Sequence, residues 1–159
     1  MNSSKKKPYF YNLMSDLSAE NKIDLFVDMD GVIASYNFGK PLNFKTKRPL
    51  TTNINTLKKV SKLKNVNLFI LSVCRENYQI KDKNDWLDKN AHFFKKENRF
   101  ILSKEEITNQ SSPNMKLNFL KNYKSNNTIV LVDDDNLVLS TIGKELDNVI
   151  LFQDSELID

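Results

Sequence analysis

The sequence predicts an α/β fold: a three-layer sandwich in which helices cover both faces of a parallel sheet of about five strands. Three observations support this. Five short, almost continuously apolar runs recur along 159 residues. Segments with apolar residues at helical spacing separate them. Most of the runs end in side chains suited to chemistry, as parallel sheets place them.

The first strand is predicted at IDLFVDM, residues 23–29. A run this short and this apolar suits a strand buried on both faces. INTLKKVSKLK (54–64) puts Ile54, Leu57, Val60 and Leu63 near one stripe and reads as a helix. VNLFILS (66–72) is the second strand. Residues 81–89 carry Trp86 and Leu87 on a charged background, again a helix. RFILS (99–103) is the third strand. MKLNFLKNY (115–123) brings Leu117 and Leu120 together with Phe119 and Tyr123 as a helix. TIVLVD (128–133) is the fourth strand. NLVLSTIGKEL (136–146) spaces Leu139, Ile142 and Leu146 helically, and NVILFQ (148–153) is the fifth strand. Strands alternating with helices imply right-handed crossovers and a sheet covered on both sides.

A chain of this length is expected to be one domain, here residues 21–159, preceded by a polar tail or arm over residues 1–20. The tail contains KKKP, which is read as solvated or as a contact for an anionic partner. The composition, 40% hydrophobic and 28% charged, is that of a globular chain. The net charge of +4 suits an anionic ligand without demanding nucleic acid, which needs a clustered patch. A single cysteine, Cys74, excludes an internal disulfide and fits a reducing, cytoplasmic setting. No run approaches the ~20 apolar residues of a membrane span, so no membrane partner is expected. No secretory signal is expected at the N-terminus either.

Ligands of parallel sheets bind outside the carboxyl ends of the strands. The residues there are Asp28 and Asp30, then Ser72, then Ser103, then Asp133, Asp134 and Asp135. Asp28 and Asp30 share one side of an extended chain, and Gly31 permits a sharp turn after them. Carboxylates this close repel unless a cation lies between them or one is protonated. Oxygen-only ligands favour a hard cation, and Mg²⁺ commonly takes one or two carboxylates with water and phosphate. No His or Cys cluster suggests zinc, and the sole histidine, His92, reads as a surface or packing residue. Ser72 suits phosphate oxygens or a helix cap. Lys116 suits a phosphate held beside a carboxylate, or plain solvation. Asp135 is read as the cap of the helix that begins near Asn136.

The ordered set DMDGV, FILS, a lysine before a helix and LVDD resembles the haloacid dehalogenase (HAD) superfamily over residues 23–152. The resemblance implies a Rossmann-like sheet and a phosphatase using an aspartyl-phosphate. Asp28 would be the nucleophile. Asp30 would be the acid and base, with its carbonyl on Mg²⁺. Asp28, Asp30 and Asp133 would ligate the metal, with Asp134 ligating through water or orienting Lys116. Ser72 and Lys116 would hold the phosphoryl group. Asp30 favours a phosphatase over a dehalogenase, which has no leaving alcohol to protonate.

The stretch Val32–Thr52 leaves room for a flap but not for a cap domain, a minimal (C0-type) arrangement with an open site. Small bacterial and phage 5′-nucleotidase-like members show a similar layout, so a nucleotide or another small phosphate ester is the expected substrate. Tyr36, Phe38 and Phe44 are candidates to stack on a base, or are packed, and Arg75 is a candidate anion contact. Cys74 is read as buried filler. A nucleic-acid 3′-end phosphatase, as in polynucleotide kinase-phosphatases with their similar DMDG motif, is the alternative. A non-enzymatic binding protein on the same fold is the third.

Overall fold

A computed structural model describes residues 9–36 and 43–158 of the chain. Among these, five strands form one all-parallel sheet in the order β3-β2-β1-β4-β5. They are β1 (Ile23–Val27), β2 (Val66–Cys74), β3 (Arg99–Ser103), β4 (Thr128–Asp133) and β5 (Val149–Gln153). The helices are α1 (Tyr9–Glu20), α2 (Thr51–Val60), α3 (Tyr78–Asn90), α4 (Ser112–Asn122) and α5 (Asn136–Glu145). No described helix is long and apolar enough to cross a membrane.

The central strand β1 is buried along its whole length, which explains its continuous apolar run. Alternation sorts its side chains between two cores. Leu25 and Val27 face α1, α2 and α3, where they meet Met14, Leu57 and Leu87. Phe26 faces α4 and α5, among Leu117, Leu120 and Ile142. Its ring stacks on Phe69 at 4.9 Å and meets Tyr123 edge-on at 5.0 Å. The result is three layers, with three helices on one face and two on the other.

The expected arm over residues 1–20 is corrected in its second half. Residues 9–20 form α1, and Phe10 and Met14 on it are fully buried. The Phe10 ring meets Phe152 edge-on at 5.1 Å. This i, i+4 pair docks the helix together with the partly buried Tyr11, Leu13 and Leu17, despite its polar neighbours. KKKP lies outside the described residues. Strand β2 also runs two residues past the expected end at Ser72, because Val73 and Cys74 pair with Leu102 and Ser103 of β3.

The amino ends of the strands are pinned by one carboxylate. Asp24 on β1 is 2% exposed and accepts from Asn67, Tyr123, Ser125 and Asn127 at 2.8–3.1 Å. Burial pushes its pKa up, but the four hydrogen bonds outweigh burial and hold it below the ordinary 3.8. The bonds join β1, β2 and the segment before β4. Asp24→Asn is expected to cost about 2–3 kcal/mol at pH 7, measured by urea unfolding. A depressed native pKa contributes stability above the unfolded value of 3.8 and loses it as the pH falls through the native value. The gap between wild type and variant therefore narrows below pH 3.8. A loss under about 0.5 kcal/mol at pH 7 contradicts the pin.

Candidate active site

From β1 the chain moves outward to β2 and β3, then returns on the other side of β1 as β4. The switch point lies between β1 and β4, and their carboxyl ends carry Asp28 and Asp133. Backbone pairing continues past β1, with the Asp28 N–H donating to Val132 O at 3.0 Å. This sets the two acids side by side. Asp28 is 6% exposed and Asp133 is fully buried.

Lys116 reaches both acids from α4. Its ammonium is 2.9 Å from Asp28 Oδ1 and 2.6 Å from Asp133 Oδ2, and the residue is 4% exposed. The Ser111 hydroxyl caps α4, and Pro113 follows in its first turn, so the helix start is well defined. Asp134 joins from the other side. One carboxylate oxygen each of Asp28, Asp133 and Asp134 lies within 4.8 Å of the others. The Tyr36 hydroxyl donates to Asp134. Asp135 is the cap of α5, accepting from the Leu137 N–H at 2.8 Å, as expected.

Gly31 lets this cluster close. Its φ is +79°, and an added Cβ would sit 2.6 Å from Asp134 Cγ and 2.7 Å from the Tyr36 hydroxyl. Any side chain here would force Asp134 or Tyr36 to move.

Burial pushes Asp28 up to about 6, with Lys116 opposing and the charges of Asp133 and Asp30 reinforcing. Burial also pushes Asp134 up to about 6, against the Tyr36 hydrogen bond. Asp133 is raised by burial, with Lys116 opposing. Burial disfavours the Lys116 cation, but Asp28 and Asp133 outweigh burial and keep it charged. One ammonium thus bridges two of three converging carboxylates. A donor set of carboxylate oxygens alone fits a hard divalent ion such as Mg²⁺.

Asp30 turns elsewhere. Its carboxylate accepts from Lys47 and, at 2.8 Å, from Lys83. Lys83, on α3, also donates to Ser72 Oγ at 2.7 Å and Val73 O at 3.0 Å. Both lysines are buried and lie against the Phe44 ring, at 4.7 and 4.9 Å from its centroid. Trp86 Nε1 donates to Lys47 O at 2.9 Å. Burial raises the Asp30 pKa, but Lys83 and Lys47 outweigh burial and hold it below the carboxylate range. In this conformation Asp30 is an ionised salt-bridge partner, and its carboxylate lies outside the trio of acids.

The structure therefore brings Asp28, Asp133, Asp134 and Lys116 together as one cluster, with Asp30 on its rim. The Ser72 hydroxyl is fully buried and engaged by Lys83, not presented at a strand end. Phe44 packs edge-on against Trp86 at 5.9 Å and is 3% exposed, which leaves it no face for a base. Phe38 lies outside the described residues. Tyr36 is 51% exposed at the mouth of the cluster, and Arg75 is exposed beside it.

Lys83 and Lys47 were not predicted. Lys83 had a signal, since it falls on the same helical stripe as Trp86 and Leu87 and a lysine on a buried stripe needs a partner. Lys47 had none, because it meets Asp30 across a flap whose path no local pattern encodes. The two described ends of this stretch are joined, with Ser35 N donating to Arg48 O and Leu50 N to Ile33 O, both at 2.8 Å.

No family model matches the chain. No curated protein matches it either. Among solved structures, it is similar to a chain in the structure of the Pnkp1/Rnl/Hen1 RNA repair complex. The TM-score is 0.67 at 21% identity, over 84% of this chain and 42% of that one. A chain in a second structure of the Pnkp1/Rnl/Hen1 complex gives 0.66 at 19% identity, over 84% and 46%. This chain thus spans less than half the length of either. At these identities the likeness establishes the α/β fold.

Lys116→Met removes the ammonium that bridges Asp28 and Asp133 and leaves both acids buried without it. In EDTA at pH 7 it is expected to cost about 3–5 kcal/mol by urea unfolding. A loss under about 1 kcal/mol contradicts the bridge.

Proposed function

We propose that this chain is a Mg²⁺-dependent phosphomonoester hydrolase of the HAD type, acting on nucleotide phosphates through an aspartyl-phosphate on Asp28. The observation that carries the reading is the convergence of Asp28, Asp133 and Asp134 at the switch point, with Lys116 bridging the first two. The order of the motifs along the chain supports the superfamily.

Asp28, Asp133 and Asp134 would hold the ion. When bound, Mg²⁺ screens the anionic nucleophile from the anionic phosphate and stabilises charge in the transition state. The residues do the rest. An Asp28 oxygen attacks phosphorus, and the bond from phosphorus to the leaving oxygen breaks. Asp30 gives that oxygen a proton, then takes one from the water that attacks the aspartyl-phosphate. Asp28 is regenerated as phosphate leaves. Lys116 neutralises phosphoryl oxygens beside the acids. Asp30 must be protonated to act first, and Lys47 and Lys83 oppose this in the unliganded geometry. A phosphoryl dianion bound beside Asp30 would compete for these lysines and weaken their opposition to its protonation.

A second substrate reading is a phosphorylated nucleic-acid end. Its support is that two structures of similar fold are chains of an RNA repair complex.

The test is inorganic phosphate release from 5′- and 3′-mononucleotides, sugar phosphates and a 3′-phosphorylated oligonucleotide, with Mg²⁺ or EDTA. Wild type is expected to release phosphate with Mg²⁺ alone. Asp28→Asn, folded by circular dichroism, is expected to lose at least about 10³-fold in rate. Release by that variant within about tenfold of wild type rejects the nucleophile.

A further inference from the structure

A second cavity of about 350 Å³ adjoins the cluster of acids. Both cavities are lined by Asp30, Tyr36, Val73 and Ser112, so they meet along that seam. Their charges are opposite. The first is lined by five aspartates and Lys116. The second carries Lys47, Arg75, Lys83 and Lys104 against Asp30 alone among its lining carboxylates.

Two of those four cations are committed to Asp30, and two are surplus. Among the described residues, neither the Arg75 guanidinium nor the Lys104 ammonium forms a hydrogen bond or salt bridge within the chain. The backbone of each residue is anchored. Arg75 N donates to the buried Gln79 Oε1 at 2.9 Å, and Lys104 N donates to Cys74 O at 3.0 Å. The ends of β2 and β3 are thereby tied together, with both cations on one rim. The nearby acid Glu105 is engaged elsewhere, accepting from Asn77 N at 2.8 Å. The cavity is of a size that ligand pockets use, about 300–1,000 Å³.

An anion held beside a phosphoryl site is most simply the next phosphate of the same molecule. A nucleic-acid strand supplies one at every nucleotide, while a mononucleotide has none. Resting on the phosphatase reading above, we infer that this cavity is a subsite for a second phosphate. The substrate is then the phosphorylated end of a nucleic-acid strand. Its terminal phosphomonoester enters the cavity that Asp28 and Lys116 line, and the adjoining phosphodiester lies on Arg75 and Lys104.

The experiment compares a nucleoside monophosphate with the dinucleotide bearing the same terminal phosphate, in 3′- and 5′-phosphorylated pairs. A third ligand is the dinucleotide with an uncharged methylphosphonate linkage. Phosphate release is measured with Mg²⁺, and binding to Asp28→Asn is measured by calorimetry. The wild type is expected to prefer the charged dinucleotide by at least about tenfold in kcat/KM, as for two charge-assisted contacts. The neutral linkage and the Arg75→Ala/Lys104→Ala variant are each expected to bring that ratio to about one. The preferred pair identifies the end. Equal kcat/KM for mono- and dinucleotide, or a preference that survives the double substitution, overturns the subsite. If nothing releases phosphate, the phosphatase reading fails and binding decides the subsite. Tighter binding of the charged dinucleotide, lost in the double substitution, upholds it, and equal binding of all three ligands overturns it.

Discussion

Carboxylates gathered at one edge of a sheet repel, and much of this structure is arranged around that repulsion. Asp28 and Asp133 end neighbouring strands, where burial removes the water that would screen them. Lys116 bridges them at 2.9 and 2.6 Å. A buried lysine bridging two buried acids is strongly favoured only when the geometry is good. The capped start of α4 supplies that geometry from one side of the sheet. The backbone pairing of Asp28 to Val132 supplies it from within the sheet.

The same constraint divides the site by charge. Asp30 is two residues from Asp28 yet is drawn off by Lys47 and Lys83, so the acids are not all crowded at one point. Phe44 and Trp86 shield those lysines, and α3 holds both Lys83 and Trp86. On one side of Asp30 there is excess negative charge, suited to a divalent cation. On the other side there is excess positive charge, suited to an anion. Asp30 stands at the boundary, where a group that shuttles a proton to a leaving oxygen would be needed.

What the sequence made legible follows from how local each cause is. The β1 run and the acids after it could be read because a strand buried on both faces leaves no other place for charge than its end. Asp135 could be read as a cap because capping is a contact over two residues. Lys116 could be singled out, but its two partners come from strands 17 residues away or more. Helix α1 was obscured because only Phe10 and Met14 among its apolar side chains are fully buried, beside a basic run that suggests solvent. Ser72 was misplaced because the end of β2 is set by pairing with β3, which no residue in β2 announces. Lys47 and Phe44 depend on the path of the flap, and the packing of Phe44 on Trp86 joins segments 42 positions apart in sequence number.

The central claim is that the trio of acids is a cation site and not only a salt-bridge cluster. Thermal unfolding with Mg²⁺ titrated from zero to millimolar, with and without orthophosphate, tests it most directly. An ion that binds the native state alone raises Tm with saturation. The account predicts a saturable rise in wild type, enhanced by orthophosphate and absent in Asp133→Asn. A wild-type Tm that does not move with Mg²⁺ in either condition, or an equal rise in Asp133→Asn, contradicts it.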